Sequence, residues 1–123
     1  MDQQKKTSKC GKFFFNVCLA YDGREEILYA VKKIVGEIQD NTLNENELSC
    51  STIKNHLFTR EIPEPDLIIR TGMKHEKRIS GFLLWDSSYS ELEFVEHYWP
   101  DFTPVMLGEI ISRFSERIRR FGQ

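Results

Sequence analysis

The chain has 123 residues, 40% of them hydrophobic and 29% charged, with a formal net charge of −2. That length suits one domain, able to bury roughly two thirds of the surface its unfolded chain exposes. The slightly acidic balance argues against general nucleic-acid binding, since no cationic excess offsets phosphate repulsion, and no run approaches the roughly 20 apolar residues of a membrane span.

Residues 1–12 are polar and lysine-rich, with Lys5, Lys6, Lys9 and Lys12, and are expected to form a disordered lead. They hold no long apolar segment before a small-residue cleavage site, so they do not read as a secretory signal. Cys10, Cys18 and Cys50 are odd in number and match no zinc spacing. They read as reduced thiols of a cytoplasmic protein with at most peripheral membrane contact. Residues 13–20 are an apolar run broken only by Asn16, which predicts a strand buried on both faces with Cys18 in the core.

Tyr21-Asp22-Gly23 then makes a turn, and Asp22 can cap a following helix. In residues 24–39, Ile27, Val31, Ile34 and Ile38 recur at helical spacing, so the helix should face a core with these four. A polar loop at 41–46 precedes a shorter helix starting near Ser51, with Ile53 and Leu57 on one face, that stops before Pro63. Pro63-Glu64-Pro65 forces extended chain into a strand, Asp66-Leu67-Ile68-Ile69-Arg70. Residues 71–78 form a charged loop. Residues 79–89, with Phe82, Leu83, Leu84 and Trp85, predict a short helix on the sheet, and residues 92–95 a third strand. Thr103-Pro104 offers a capping hydroxyl and a first-turn proline to a last helix. Its apolar face should hold Leu107, Ile110 or Ile111, Phe114 and Ile118, and Arg117, Arg119 and Arg120 suit the negative end of its dipole.

Strands alternating with helices imply an α/β unit, a partial parallel sheet of about three strands flanked by helices. Such a sheet leaves apolar edges and faces bare, so the chain is expected in a homodimer or a hetero-complex.

The strongest chemical signal runs from Pro65 to Glu91. A buried strand ends at Arg70-Thr71-Gly72, a charged loop follows, and Arg78-Ile79-Ser80 opens the next element. Ligands of open α/β sheets bind beyond the carboxyl ends of the strands. Two guanidinium groups and a hydroxyl placed there would suit an anion. The plainer alternative pairs Arg70 and Arg78 with Asp66, Glu76 or Glu64. The histidines (His56, His75, His97) have no partner at metal-ligand spacing.

Asp66-Leu67-Ile68-Ile69-Arg70-Thr71-Gly72, Arg78-Ile79-Ser80-Gly81-Phe82-Leu83-Leu84-Trp85 and Tyr89-Ser90-Glu91-Leu92 closely resemble the C-terminal signature of cis-prenyltransferases, the undecaprenyl and dehydrodolichyl diphosphate synthases. The resemblance continues through Trp99-Pro100-Asp101-Phe102-Thr103-Pro104 to Arg119-Arg120-Phe121-Gly122. Upstream it takes in Asn16 to Ala20 and Tyr21-Asp22-Gly23-Arg24-Glu25-Glu26-Ile27, about residues 13–122 in all. It implies that residues 13–123 form the C-terminal half of that fold. Arg70, Arg78 and Ser80 then match residues that hold the diphosphate of isopentenyl diphosphate, and Glu91 matches a carboxylate that helps bind Mg²⁺. Arg120 and Gly122 match a terminal Arg-Xaa-Gly motif that reaches a partner's diphosphate site.

Three departures accompany the resemblance. The family's opening half is not represented, and with it the Asp-Gly-Asn-Arg-Arg stretch and most of the hydrophobic tunnel, so no catalytic residue is assigned. The loop between Arg70 and Arg78 holds seven residues, two more than the common pattern, with Met73 where a second small residue is usual. Asp86 replaces a usual glutamine after Trp85 and would add negative charge near the site. The resemblance therefore implies the isopentenyl-diphosphate-binding and dimerisation half of a prenyltransferase, inactive alone. The alternatives are a non-catalytic diphosphate-binding or scaffold protein, or a fragment of a full-length synthase.

Overall fold

The computed structural model describes residues 2–11 and 13–117. Asp22 starts the long helix α2 (Gly23–Gln39): its side chain accepts a hydrogen bond from the Arg24 amide at 2.8 Å, satisfying one of the free amides of the first turn. Ser49 and Thr52 form a reciprocal capping box that opens α3 (Cys50–His56), which packs on α2. Thr103 caps α4 (Pro104–Glu116) through the Met106 amide. Strands β1 (Leu67–Arg70) and β2 (Glu91–Phe94) pair in parallel, Leu67 opposite Glu91 and Arg70 opposite Phe94. The molecule is thus α/β with a small parallel sheet, as expected.

The sheet has two strands among the described residues, one fewer than expected. Residues 13–20 are apolar enough for a buried strand but no strand lies beside them, so they run without ladder hydrogen bonds. Phe13, Phe14 and Phe15 are 88–92% exposed, and Cys18 is exposed with them rather than in the core. Residues 2–7 form a short helix, α1 (Asp2–Thr7), where a disordered lead was expected.

Helix α2 keeps most of the face its isoleucines suggest, with Ile34 buried and Ile27 and Ile38 half-buried. Gly23, Glu26, Ala30 and Ile34 face inward at helical spacing, while Leu28, Val31 and Val35 are 44–46% exposed. The helix therefore has two apolar faces and this chain covers one. Helix α4 repeats the pattern: Ile110 is buried, whereas Leu107 and Ile111 are exposed.

Residues 80–89 form successive turns instead of a helix. Ser80 (φ 48°), Gly81 (φ 79°) and Leu83 (φ 45°) all take left-handed backbone, which cannot continue a right-handed helix. The turns are pressed onto the start of α2, where the Gly23 amide donates to the Gly81 carbonyl at 3.1 Å. A Cβ on Gly23 would sit 2.4 Å from that carbonyl oxygen and 2.8 Å from Leu84 Cβ. Beyond β1, the Gly72 and Met73 amides donate to the His97 and Val95 carbonyls, which buries Met73 and leaves residues 74–77 as an exposed tip.

Gly23→Ala is expected to lower stability by about 1–3 kcal/mol through overpacking. Urea denaturation should show an earlier midpoint. An unchanged midpoint would mean that residues 81–84 do not rest on α2 as described.

Candidate functional site

The carboxyl end of β1 delivers Arg70 to one wall of a cavity of about 300 Å³. Ile68 and Ile69 precede it on the strand, and the turn after the charged loop supplies Ile79, Ser80 and Phe82. Four of the lining residues are apolar, and Arg70 and Ser80 are the two polar ones. That composition suits a small molecule with a short hydrocarbon part and an anionic part.

Arg70 Nη1 donates to the carbonyl of Arg78, which ties the end of the loop to the end of the strand. The Arg78 guanidinium is not part of the cavity lining. It pairs with Glu76 on the exposed tip, which realises part of the plainer reading of these charges. Arg70 and Ser80 are therefore brought together at one cavity, and Arg78 reaches it through its backbone. Arg120 and Gly122 lie outside the described residues.

Glu91 stands at the opposite end of β2 from the cavity, across from Leu67, three residues and about 10 Å along the strand from the register of Arg70. Its Oε2 accepts from Arg117 Nη1 at 3.0 Å. Glu93, on the same face two residues on, accepts from Arg113 at 2.6 Å and from Arg117 at 2.7 Å. The Arg113 hydrogen bond, supported by Arg117, holds the Glu93 carboxyl below the usual carboxylate range, and the two carboxylates hold Arg117 more firmly charged. These pairs dock the end of α4 on β2. Among the described residues no three His, Cys, Asp or Glu side chains gather as a metal site. Glu91, alone and already paired, does not by itself fit a Mg²⁺ ion, which takes several hard oxygen ligands.

Asp86 does not add charge to the cavity mouth. It is buried, and Lys54 Nζ reaches it at 2.8 Å. The same ammonium donates to the carbonyls of Thr59 (3.0 Å) and Ile62 (3.1 Å). Beside it the Tyr21 hydroxyl and the Thr59 amide donate to the buried carboxylate of Glu26. Burial and Glu26 push the Tyr21 hydroxyl well above its ordinary value. Sequence reading missed this cluster. Lys54 and Asp86 are 32 residues apart, and no periodicity links them.

The undecaprenyl diphosphate synthase family model matches residues 1–122. A tritrans,polycis-undecaprenyl-diphosphate synthase (geranylgeranyl-diphosphate specific) from Methanopyrus kandleri is 41% identical over 120 residues, which cover 98% of this chain and 44% of that protein. The enzyme of the same description from Methanocaldococcus jannaschii is 42% identical over 122 residues, covering 98% and 43%. A crystal structure of lavandulyl diphosphate synthase from Lavandula x intermedia in complex with dimethylallyl diphosphate superposes with a TM-score of 0.88 at 31% identity, covering 99% of this chain and 52% of that one. The chain thus spans about half the length of the proteins it matches. Among the described residues no helix is long and apolar enough to cross a membrane.

Arg70→Ala should weaken the binding of inorganic diphosphate by about 1.5–3 kcal/mol, the worth of a charge-assisted hydrogen bond. Calorimetric titration should read a loss of roughly 10- to 150-fold. Equal affinity in parent and variant would remove Arg70 from the site.

Proposed function

The chain belongs to the undecaprenyl diphosphate synthase family of cis-prenyltransferases, and from that premise we propose that it supplies the isopentenyl-diphosphate-binding and dimerisation half of such an enzyme. The observation that carries this reading is the cavity at the end of β1. Arg70 and the Ser80 hydroxyl would hold the diphosphate, and Ile68, Ile69, Ile79 and Phe82 would enclose the five-carbon isopentenyl group. Arg78 would join them by releasing Glu76, an exposed pair that costs little to break. Arg120 and Gly122 would act at a partner's diphosphate site.

The reaction is cis elongation of an allylic diphosphate. The related synthases from Methanopyrus kandleri and Methanocaldococcus jannaschii are geranylgeranyl-diphosphate specific, which supports that compound as the primer. This chain's residues bind and orient the isopentenyl diphosphate and shield its hydrocarbon end from water. Ionisation of the primer falls to the half that the chain does not span, where the family's aspartate-bearing stretch lies. Glu91 would enter a Mg²⁺ site only with ligands from that half and from substrate phosphates, and only after Arg117 lets it go.

Association with a further chain or segment is supported by the uncovered apolar surface. Residues 13–19, the outer faces of α2 and α4, and the exposed Tyr98 and Trp99 together exceed what a self-sufficient domain leaves in water. A homodimer or a hetero-complex with a polypeptide carrying the missing half would bury them. A second reading, a non-catalytic diphosphate-binding protein, is favoured by one observation: the long loop pairs Arg78 with Glu76 rather than turning it to the cavity.

Purified alone, the chain is expected to elongate no geranylgeranyl diphosphate with radiolabelled isopentenyl diphosphate. Product should form when the missing half is added, and Glu91→Ala should reduce it. Labelled polyprenyl product from the chain alone would refute the division of labour, and none from the reconstituted pair would favour the non-catalytic reading. Sedimentation at micromolar concentration should show a dimer or larger species, whereas a clean monomer would contradict the assembly.

A further inference from the structure

The wall of the cavity that carries Ser80 and Phe82 is made of turns, three of whose residues hold left-handed backbone, so something outside the segment must fix it. The contacts beneath it close into a ring. Lys54 Nζ holds Asp86, and the Ser87 amide ties the next residue back to the Leu83 carbonyl at 2.9 Å. The Phe82 ring meets Tyr21 edge to face with centroids 5.7 Å apart. The Tyr21 hydroxyl donates to Glu26, Glu26 accepts from the Thr59 amide at 3.2 Å, and the Thr59 carbonyl accepts from Lys54. One ammonium thus joins the turn after α3 to the cavity wall, its three protons satisfied by two carbonyls and a carboxylate. Neither Lys54 nor Asp86 lines the cavity.

We propose that Lys54 and Asp86 are positioning residues for the anion site, setting its affinity from beneath by holding the Ser80–Phe82 wall against Arg70. This rests on the reading of the cavity as a diphosphate site. The usual glutamine at the position of Asp86 is neutral, and here a buried carboxylate is matched to a half-buried lysine. Removing Lys54 leaves a buried carboxylate without its cation, and removing Asp86 leaves the ammonium with only the two carbonyls to hold it. The wall then shifts, and a misplacement of about 1 Å weakens a site by up to a hundredfold.

The test titrates the full chain with inorganic diphosphate by calorimetry, beside Lys54→Met, Asp86→Asn, the double variant and Lys54→Arg. Each of the first two should lose about 10- to 100-fold in affinity, and the double variant no more than the weaker single one, because both act through one contact. Lys54→Arg, which can still meet Asp86, should recover most of the loss. The salt dependence of affinity should keep its slope in Lys54→Met, since the charges that touch the anion are unchanged. If Lys54→Met fails to fold, Asp86→Asn and Lys54→Arg carry the same comparison. Parental affinity in the variants, whatever their thermal stability, overturns the proposal. So does a shallower salt slope in Lys54→Met, which would make Lys54 itself an anion ligand. No binding by the unaltered chain overturns the reading of the cavity and the proposal with it.

Discussion

Among the described residues, two parallel strands of four residues pair only with each other, so each has an outer edge without a strand partner. Parallel sheets are stable when both faces are covered and their edges extended. Here β1 and β2 have each other, and α2 and α4 each turn one apolar face inward and leave a second outside. The same deficit explains residues 13–20, whose composition is that of an inner strand and whose surroundings are water.

Against that open frame, the floor of the cavity is tightly specified. Buried side-chain polar atoms among the described residues all have partners. Glu26 and Asp86, both buried, would each cost several kcal/mol if stranded without them. Their ring of hydrogen bonds fixes a run of turns that has little regular secondary structure of its own. The molecule is thus open at its outer apolar faces and fixed by polar contacts beneath the wall.

Much of this was legible in the sequence because it depends on local chemistry. Asp22, Thr103 and Pro104 mark helix starts that need only their own backbone. The pair of prolines before β1 and the apolar run within it placed the strand and Arg70 at its end. What was not legible depends on distant partners. The inward face of α2 runs through Glu26 because Thr59 and Tyr21 meet it there, which no isoleucine spacing announces. Residues 79–89 have the composition of a short helix, yet Gly23 lets the Gly81 carbonyl come so close that the backbone is drawn into turns. Asp86 adds no charge at the cavity mouth because Lys54, from a separate helix, pairs with it. Residues 13–20 have a strand's composition, but pairing needs a neighbouring strand and none lies beside them among the described residues.

Hydrogen–deuterium exchange at residues 13–20 measures that missing neighbour most directly. In the chain alone these amides should exchange at nearly the rate of an open peptide. With a polypeptide carrying the other half of a family synthase added, exchange should slow by orders of magnitude, as it does for amides closed into a sheet. If the two polypeptides associate and residues 13–20 still exchange freely, the apolar run is not the strand that completes the sheet, and the chain is not the complementary half described.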